Sequence, residues 1–154
     1  MKNIFKNILK ILKLRKKYVL FVCTGNTCRS PMAESLFNAM NINHWYARSA
    51  GTSATNGQNM SLEARMAATN HGGSMNNIYN HKSRHVSRHM IENADKIVCL
   101  ARSHYNILTS QFPEFTNKIQ QLTEESISDP IGRGVEVYDK CCVEIKTALQ
   151  NLKL

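Results

Sequence analysis

The chain has 154 residues, of which 20 are lysine or arginine and 11 are aspartate or glutamate, giving a formal net charge of +9. This length predicts one domain with a substantial core and excludes a small disulfide-stapled scaffold. No stretch has the roughly 18 uninterrupted apolar residues of a membrane span, and five cysteines without a convincing signal peptide favour a reducing cytoplasm.

Residues 1–17 differ from the rest of the chain in charge. They hold seven basic residues and no acidic one, which leaves 13 basic against 11 acidic residues for 18–154. On a helical projection the apolar side chains share one face, and the other face holds Lys2, Asn3, Lys6, Asn7, Lys10 and Lys13. We therefore predict a basic amphipathic extension that lies on an anionic membrane surface, at the periphery of the cytoplasm, or packs on the domain or a second copy.

Residues 18–154 show strands alternating with helices. In chain order the patterns predict strand 19–22, helix 31–42, strand 45–50, helix 62–69, a short helix capped by Ser87, strand 96–100, helix 103–112, strand 119–122 and helix 135–152. This alternation predicts an α/β fold with three layers, in which a doubly wound, four-stranded parallel sheet carries helices on both faces. The near-neutral charge of this part gives no indication of nucleic-acid binding, and nothing indicates an oligomeric state.

The segment 19–34, VLFVCTGNTCRSPMAE, places a thiol inside a turn suited to phosphate. The strand ends at Cys23, a tight turn follows, and Ser30-Pro31 is typical of an N-cap and first helical position. Backbone N–H groups of such a turn and the helix N-terminus form a nest for an oxyanion. These donors and Arg29 are expected to lower the Cys23 pKa from its ordinary value of about 8.5. A buried core thiol is the alternative.

The motif CTGNTCRSP resembles the C-x5-R-S-P signature of the low-molecular-weight protein phosphatase family, and the resemblance runs from Tyr18 to Lys153. The family's Asp-Pro pair, carried on a loop over the active site, corresponds to Asp129-Pro130. The resemblance implies that Cys23 is the nucleophile, Arg29 the transition-state clamp and Asp129 the general acid. It implies a phosphorylated protein substrate, no metal or other cofactor, and a substrate-binding loop of Thr24, Gly25, Asn26, Thr27, Cys28 and Ser30.

The resemblance also implies a hydrogen-bond network that supports the loop, with Asn26, Ser30, Ser49 and His71 as its members. The alternative is that Asn26 forms a turn, Ser30 caps a helix, Ser49 ends a strand and His71 is a surface histidine. The segment from His81 to Arg84 resembles a structural H-x-S-R motif of the family. Cys28 either fills the underside of the loop or, as the resemblance implies, forms a reversible disulfide with Cys23 under oxidant.

Two positions bear on the substrate. Phosphotyrosine members usually carry a bulky aliphatic residue where this chain has Thr27, and CTGNTCRS resembles bacterial protein-arginine phosphatases. Ile131, however, follows Asp129-Pro130 where either kind of enzyme has an aromatic residue. Thr27 therefore favours phosphoarginine slightly over phosphotyrosine. The alternatives are a phospho-binding module without turnover and an arsenate reductase, which needs a further cysteine pair that Cys99 does not provide.

Overall fold

A computed structural model describes the backbone of residues 1–154 and every side chain except those of Lys13 and Leu14. The place predicted for Lys13 on the polar face lies outside the described side chains. The elements are α1 (Lys2–Leu14), β1 (Lys17–Cys23), α2 (Arg29–Ala39), β2 (Trp45–Gly51), α3 (Leu62–Asn70), α4 (Met75–Asn80), α5 (Arg88–Asn93), β3 (Lys96–Cys99), α6 (Arg102–Gln111), a 3₁₀ helix (Pro113–Lys118), β4 (Ile119–Gln121) and α7 (Val135–Gln150).

The four strands form one parallel sheet in the order β2-β1-β3-β4. β1 pairs with β2 from Lys17 opposite Trp45 to Cys23 opposite Gly51, and its other edge pairs with β3. A strand in the middle of a parallel sheet is covered on both faces, which explains why 19–23 is continuously apolar. The predicted α/β architecture is confirmed.

Side chains of β1 alternate between two cores. Val19, Phe21 and Cys23 pack with residues of α2, α3, α4 and α7. Leu20 and Val22 pack on the opposite face with residues of α5 and α6. The sheet therefore has helices on both sides, and Cys23 points into the layer that contains α2.

The first turn of α2 differs from the prediction. The helix begins at Arg29, with Cys28 as its N-cap, and not after a Ser30 cap. The reason is that the Ser30 hydroxyl contacts Cys23 and Asn26 and does not bind a helix N–H group. Pro31 still lies in the first turn, where its missing N–H is tolerated. The prediction also missed α4 and the 3₁₀ helix, both only six residues long.

The α1 helix has an uncovered apolar face. The exposed fractions of its described apolar side chains run from 47% to 67%, for Ile4, Phe5, Ile8, Leu9, Ile11 and Leu12. The domain therefore does not cover this face, contrary to the alternative in which α1 packs on the domain. Among the helices that the structure describes, none is both long and apolar enough to cross a bilayer.

Candidate active site

The loop from Cys23 to Cys28 joins β1 to α2 at the carboxyl edge of the sheet, where parallel sheets bind their ligands. The loop after β2 holds it from the side. Backbone N–H groups of Thr52 and Ser53 donate to the carbonyls of Cys23 and Thr24 at 2.9 and 3.0 Å. Ser61 N–H donates to the Thr27 carbonyl at 3.0 Å. Most loop carbonyls therefore point away from the centre of the turn, which leaves that centre to N–H groups.

Gly51, the last residue of β2, makes this close approach possible. A Cβ atom at this position would lie 2.3 Å from the Thr24 carbonyl oxygen and 3.0 Å from the Asn26 nitrogen. Both are backbone atoms of the loop 23–28, called the phosphate loop below, so they could not move without changing the shape of this loop. Gly51 directly follows the predicted strand 45–50, and no role at the site was predicted for it.

Cys23 lies at the bottom of the loop with only 3% of its surface exposed. Its Sγ lies 2.9 Å from Ser30 Oγ, and the Asn26 N–H donates to it at 3.3 Å. Burial raises the pKa of the Cys23 thiol, while the contacts with Ser30 and Asn26 and the charge of Arg29 lower it. Burial is the largest of these effects in this structure, so the lowered pKa expected from the sequence is not found. The polar contacts decide how much thiolate remains.

Asn26 is the centre of the supporting network. Its backbone has a φ of 56°, a left-handed conformation that asparagine adopts more readily than most residues. Its Nδ2 donates to Ser30 Oγ at 2.8 Å and to Ser49 Oγ at 2.9 Å, and its Oδ1 accepts from Arg84 N–H at 2.9 Å. The structure thus brings together three of the four residues proposed for this network, Asn26, Ser30 and Ser49.

His71, the fourth, does not join them. It follows α3, and its Nε2 contacts Asp139 Oδ1 on α7 at 2.6 Å. The histidine that supports the loop is His81, whose Nε2 donates to the Asn26 carbonyl at 2.7 Å. The assignment of His71 was therefore wrong, because the chain turns at 72–73 and returns to the loop only after α4.

A buried carboxyl group completes the network. The Ser49 hydroxyl donates to Glu34 Oε2, and His81 Nδ1 lies 4.0 Å from the same oxygen. Burial raises the pKa of Glu34 and lowers that of His81, so both side chains are shifted towards their neutral forms. Glu34 lies four residues after Ser30 on α2. It is the only acidic residue of this helix, and this was the sequence feature that could have indicated a role at the site.

Arg29 and Asp129 meet beside this loop. Arg29 is 6% exposed, and its Nη1 donates to the Ile127 carbonyl at 3.1 Å. Its Nη2 lies 3.4 Å from Asp129 Oδ2, while 47% of the Asp129 side chain is exposed. Asp129 Oδ1 accepts from the N–H of Ile131, which fixes the turn after Pro130. The clamp and the acid predicted from the sequence are thus neighbours in space.

His104, on α6, supports the loop from the β3 side. Its Nε2 lies 2.9 Å from Thr24 Oγ1, and its side chain is almost fully buried. Burial, assisted by the charge of Arg29, lowers the pKa of His104 to about 4. The ring is therefore neutral at physiological pH and holds Thr24 without adding charge. No role was predicted for His104, although it follows β3 at the same edge of the sheet as Cys23.

The remaining loop residues lie towards α3 and α7. Cys28 Sγ is 3.4 Å from the buried Tyr138 hydroxyl and 3.5 Å from Ser61 Oγ. Thr27 Oγ1 is 3.7 Å from Cys28 Sγ and half-buried. Gly25 follows Thr24 in the loop and has no side chain that would narrow it. The thiols of Cys23 and Cys28 are both free in this structure, and the predicted disulfide between them stays a prediction.

Comparison with known proteins places this loop in a family. Residues 18–153 match the low molecular weight phosphotyrosine protein phosphatase family. The chain belongs to that family. It is 32% identical over 140 residues to a protein-arginine-phosphatase of Geobacillus stearothermophilus, a match that covers 87% of this chain and 92% of that protein.

Solved structures of low-molecular-weight phosphatases agree. The YwlE arginine phosphatase from Geobacillus stearothermophilus superposes with a TM-score of 0.81 at 31% identity, covering 87% of this chain and 88% of that one. A low molecular weight protein tyrosine phosphatase from T. tengcongensis also gives 0.81, at 37% identity, with 87% and 95% covered. The chain is therefore a low-molecular-weight protein phosphatase, as the loop motif and the Asp-Pro pair predicted.

Proposed function

We propose that this phosphatase hydrolyses phosphoarginine in proteins in preference to phosphotyrosine. The observation that carries the proposal is Thr27 in the phosphate loop, and the surroundings of the loop add that a phenyl ring is poorly accommodated, although Ile131 departs from both kinds of enzyme. Neither the segment 52–61, which holds the phosphate loop, nor the acid loop 123–134 contains an aromatic residue. The next aromatic, Tyr138, is buried against Cys28 and is not available for stacking. A phenyl ring would find little to pack against.

Thr27 supports the same preference. It replaces the aliphatic side chain usual in the phosphotyrosine enzymes of this family with a hydroxyl, which can bind a water molecule or a nitrogen of the substrate. The relatives named above include enzymes described as arginine phosphatases. Arg133, exposed on the acid loop, acts against the preference because it would repel a guanidinium group.

In the proposed reaction the Cys23 thiolate attacks phosphorus in line with the leaving group, forming a thiophosphate and breaking the phosphorus–nitrogen bond. Arg29 and the loop N–H groups stabilise the equatorial oxygens. Asp129 protonates the leaving guanidinium nitrogen, and once ionised it removes a proton from the water that hydrolyses the thiophosphate. Each step uses a group of this chain, with no requirement for a metal ion.

The arsenate reductase alternative finds no support in the placement of Cys99. This residue is fully buried and packs in the core on the α5–α6 side of the sheet. The other four cysteines pack in the core on the opposite side. A disulfide shuttle from Cys23 to Cys99 would have to cross the sheet.

The test compares kcat/KM for a phosphoarginine peptide and a phosphotyrosine peptide of the same sequence. We expect the wild-type enzyme to favour phosphoarginine and Thr27→Ile to shift the ratio towards phosphotyrosine. Thr123→Ile, a matched change on the acid loop, should leave the ratio unchanged. A wild-type preference for phosphotyrosine that Thr27→Ile does not alter would overturn the proposal.

We also propose that α1 holds the enzyme at an anionic membrane surface facing the cytoplasm. Its exposed apolar side chains and the seven basic residues of 1–17 match the apolar and anionic layers of such a surface. Five free thiols agree with a reducing compartment. Binding of the full-length Phe5→Ser/Ile8→Ser variant to phosphatidylserine-containing vesicles should fall, whereas the polar-face control Asn3→Ser/Asn7→Ser should bind like wild type. Equal binding by the two variants would contradict this proposal.

A further inference from the structure

A second cationic site lies behind the phosphate loop, at the junction of α1 with the domain. A cavity of about 410 Å³ opens between β1, β2 and α5. Five of its lining residues are basic, namely Arg15, Lys16, Arg48, Arg84 and His89, and none of its lining residues is acidic. We call it the rear cavity. Tyr18 and Tyr46 contribute aromatic walls, and Arg48 lies over the Tyr46 ring at 5.9 Å.

Two of these guanidinium groups lack a countercharge. Among the side chains that the structure describes, Arg48 and Arg84 form no ion pair, whereas Arg15 is paired with Asp95 at 2.6 Å. Arg84 Nε is in addition buried with no hydrogen-bond partner in the described part of the chain. A buried donor without a partner is costly, and the Arg84 guanidinium that carries it lines the cavity without an anionic partner among the described side chains.

Among the described side chains, the buried carboxyl group of Glu34 forms no ion pair with Arg48 or Arg84. The charges of Arg84 and Arg48 act on the pKa of Glu34, yet the Glu34 oxygens are taken by the Ser49 hydroxyl and by Asn77 Nδ2. Two unpaired guanidinium groups in one cavity, each a planar fork of donors, can together bind the oxygens of one phosphate group.

We propose that the rear cavity binds a phosphate-bearing anion through Arg48 and Arg84. Because Arg15 and Lys16 follow directly on α1, the phosphate of an acidic phospholipid is one source and a soluble phosphate is the other. The site is separate from catalysis, since β1 places Tyr18 and Cys23 near its opposite ends. Arg84 nevertheless links the two, because its backbone N–H holds Asn26 of the phosphate loop.

The first test titrates inorganic phosphate into Cys23→Ser protein and follows backbone amides by NMR. Amides around the cavity should respond separately from those of Gly25 and Asn26. Arg48→Gln/Arg84→Gln should weaken the cavity response about tenfold or more, while Lys82→Gln/Lys140→Gln, with the same net charge, should not. The loop response serves as an internal check that the variant is folded. No response at the cavity, or an equal response in both double variants, overturns the proposal.

A second experiment, on vesicle binding, identifies the source of the phosphate group. Vesicles of phosphatidylcholine with phosphatidic acid should bind Arg48→Gln/Arg84→Gln more weakly than the charge-matched control if a lipid phosphate fills the cavity. Equal vesicle binding, together with a lost phosphate response, assigns the site to a soluble phosphate. The test does not depend on turnover, so the proposed phosphatase specificity can fail while this site stands, and the reverse.

Discussion

Nη2 of Arg29 lies 3.4 Å from Oδ2 of Asp129, so the cation that would clamp the phosphoryl group also holds the acid that would protonate the leaving group. Arg29 is in addition tied to the Ile127 carbonyl, two residues before that acid. A buried side chain of α2 thus sets the position of the exposed acid loop relative to Cys23. Removal of either side chain is expected to affect both roles.

Asp129→Asn separates these roles, because it keeps the shape of the side chain and removes its proton. We expect kcat/KM on phenyl phosphate to fall by a factor of about 10² to 10⁴. The loss on p-nitrophenyl phosphate should be much smaller, because its leaving group is stable without a proton. Equal losses on the two substrates would show that Asp129 acts only by positioning Arg29.

Ser30→Ala tests the control of the Cys23 pKa. The Ser30 contact lowers this pKa against the effect of burial, so its removal raises the pKa and leaves less thiolate at a given pH. The rate of Cys23 alkylation by iodoacetamide should then rise with pH at a higher midpoint than in wild type. Ser35→Ala is the matched control, since Ser35 is also buried on α2 but donates to the Met32 carbonyl. An unchanged midpoint in Ser30→Ala would contradict the assignment.

His104 should make stability depend on pH. Its pKa is about 4 in the folded protein and about 6.5 when unfolded, so the unfolded chain binds the extra proton first. Its contribution is complete above about pH 6.5 and is lost as the pH falls towards 4, by about 3 kcal/mol at most. Urea unfolding of wild type and His104→Gln over this range measures the difference.

The same residue should matter for activity as a positioning residue. His104→Gln retains a polar group near Thr24, whereas His104→Ala releases that loop residue. We expect kcat to fall roughly tenfold in His104→Ala and to be largely restored in His104→Gln, with KM little changed. Equal activity of the two variants would argue against a role for the contact with Thr24.

Gly51→Ala should damage the loop from behind. Its Cβ would meet the Thr24 carbonyl at 2.3 Å, so the backbone must move, at a cost of about 1–3 kcal/mol in unfolding free energy. Activity should fall with it because the phosphate loop shifts. Gly134→Ala is the control, since nothing lies within 4 Å of its added Cβ and its φ is negative. Thermal unfolding and kcat/KM of the two variants test this directly.

Features set by residues close together in the chain were predictable from the sequence, and features set by contacts between distant residues were not. Strand 19–22 and the turn after it were predictable because β-branched runs, glycine and proline act through local sterics. The start of α2 was not, because the Ser30 hydroxyl is engaged by Asn26 and Cys23. His71 was chosen over His81 for a related reason, since only the return of the chain after α4 shows which imidazole reaches the Asn26 carbonyl.

The sequence by itself predicted the chemistry of this protein: a thiol and an arginine in a strand–loop–helix motif, and a distant Asp-Pro pair, on an alternating α/β chain with a basic amphipathic start. Local spacing is enough for the loop motif, because the loop closes over six residues. Only the tertiary structure decided which residues hold the loop, since Glu34, Ser49, His81 and His104 reach it from four different elements or connections. It also placed Arg48 and Arg84, 36 positions apart in the chain, in one cavity. Long-range packing sets these contacts, and no local pattern encodes them.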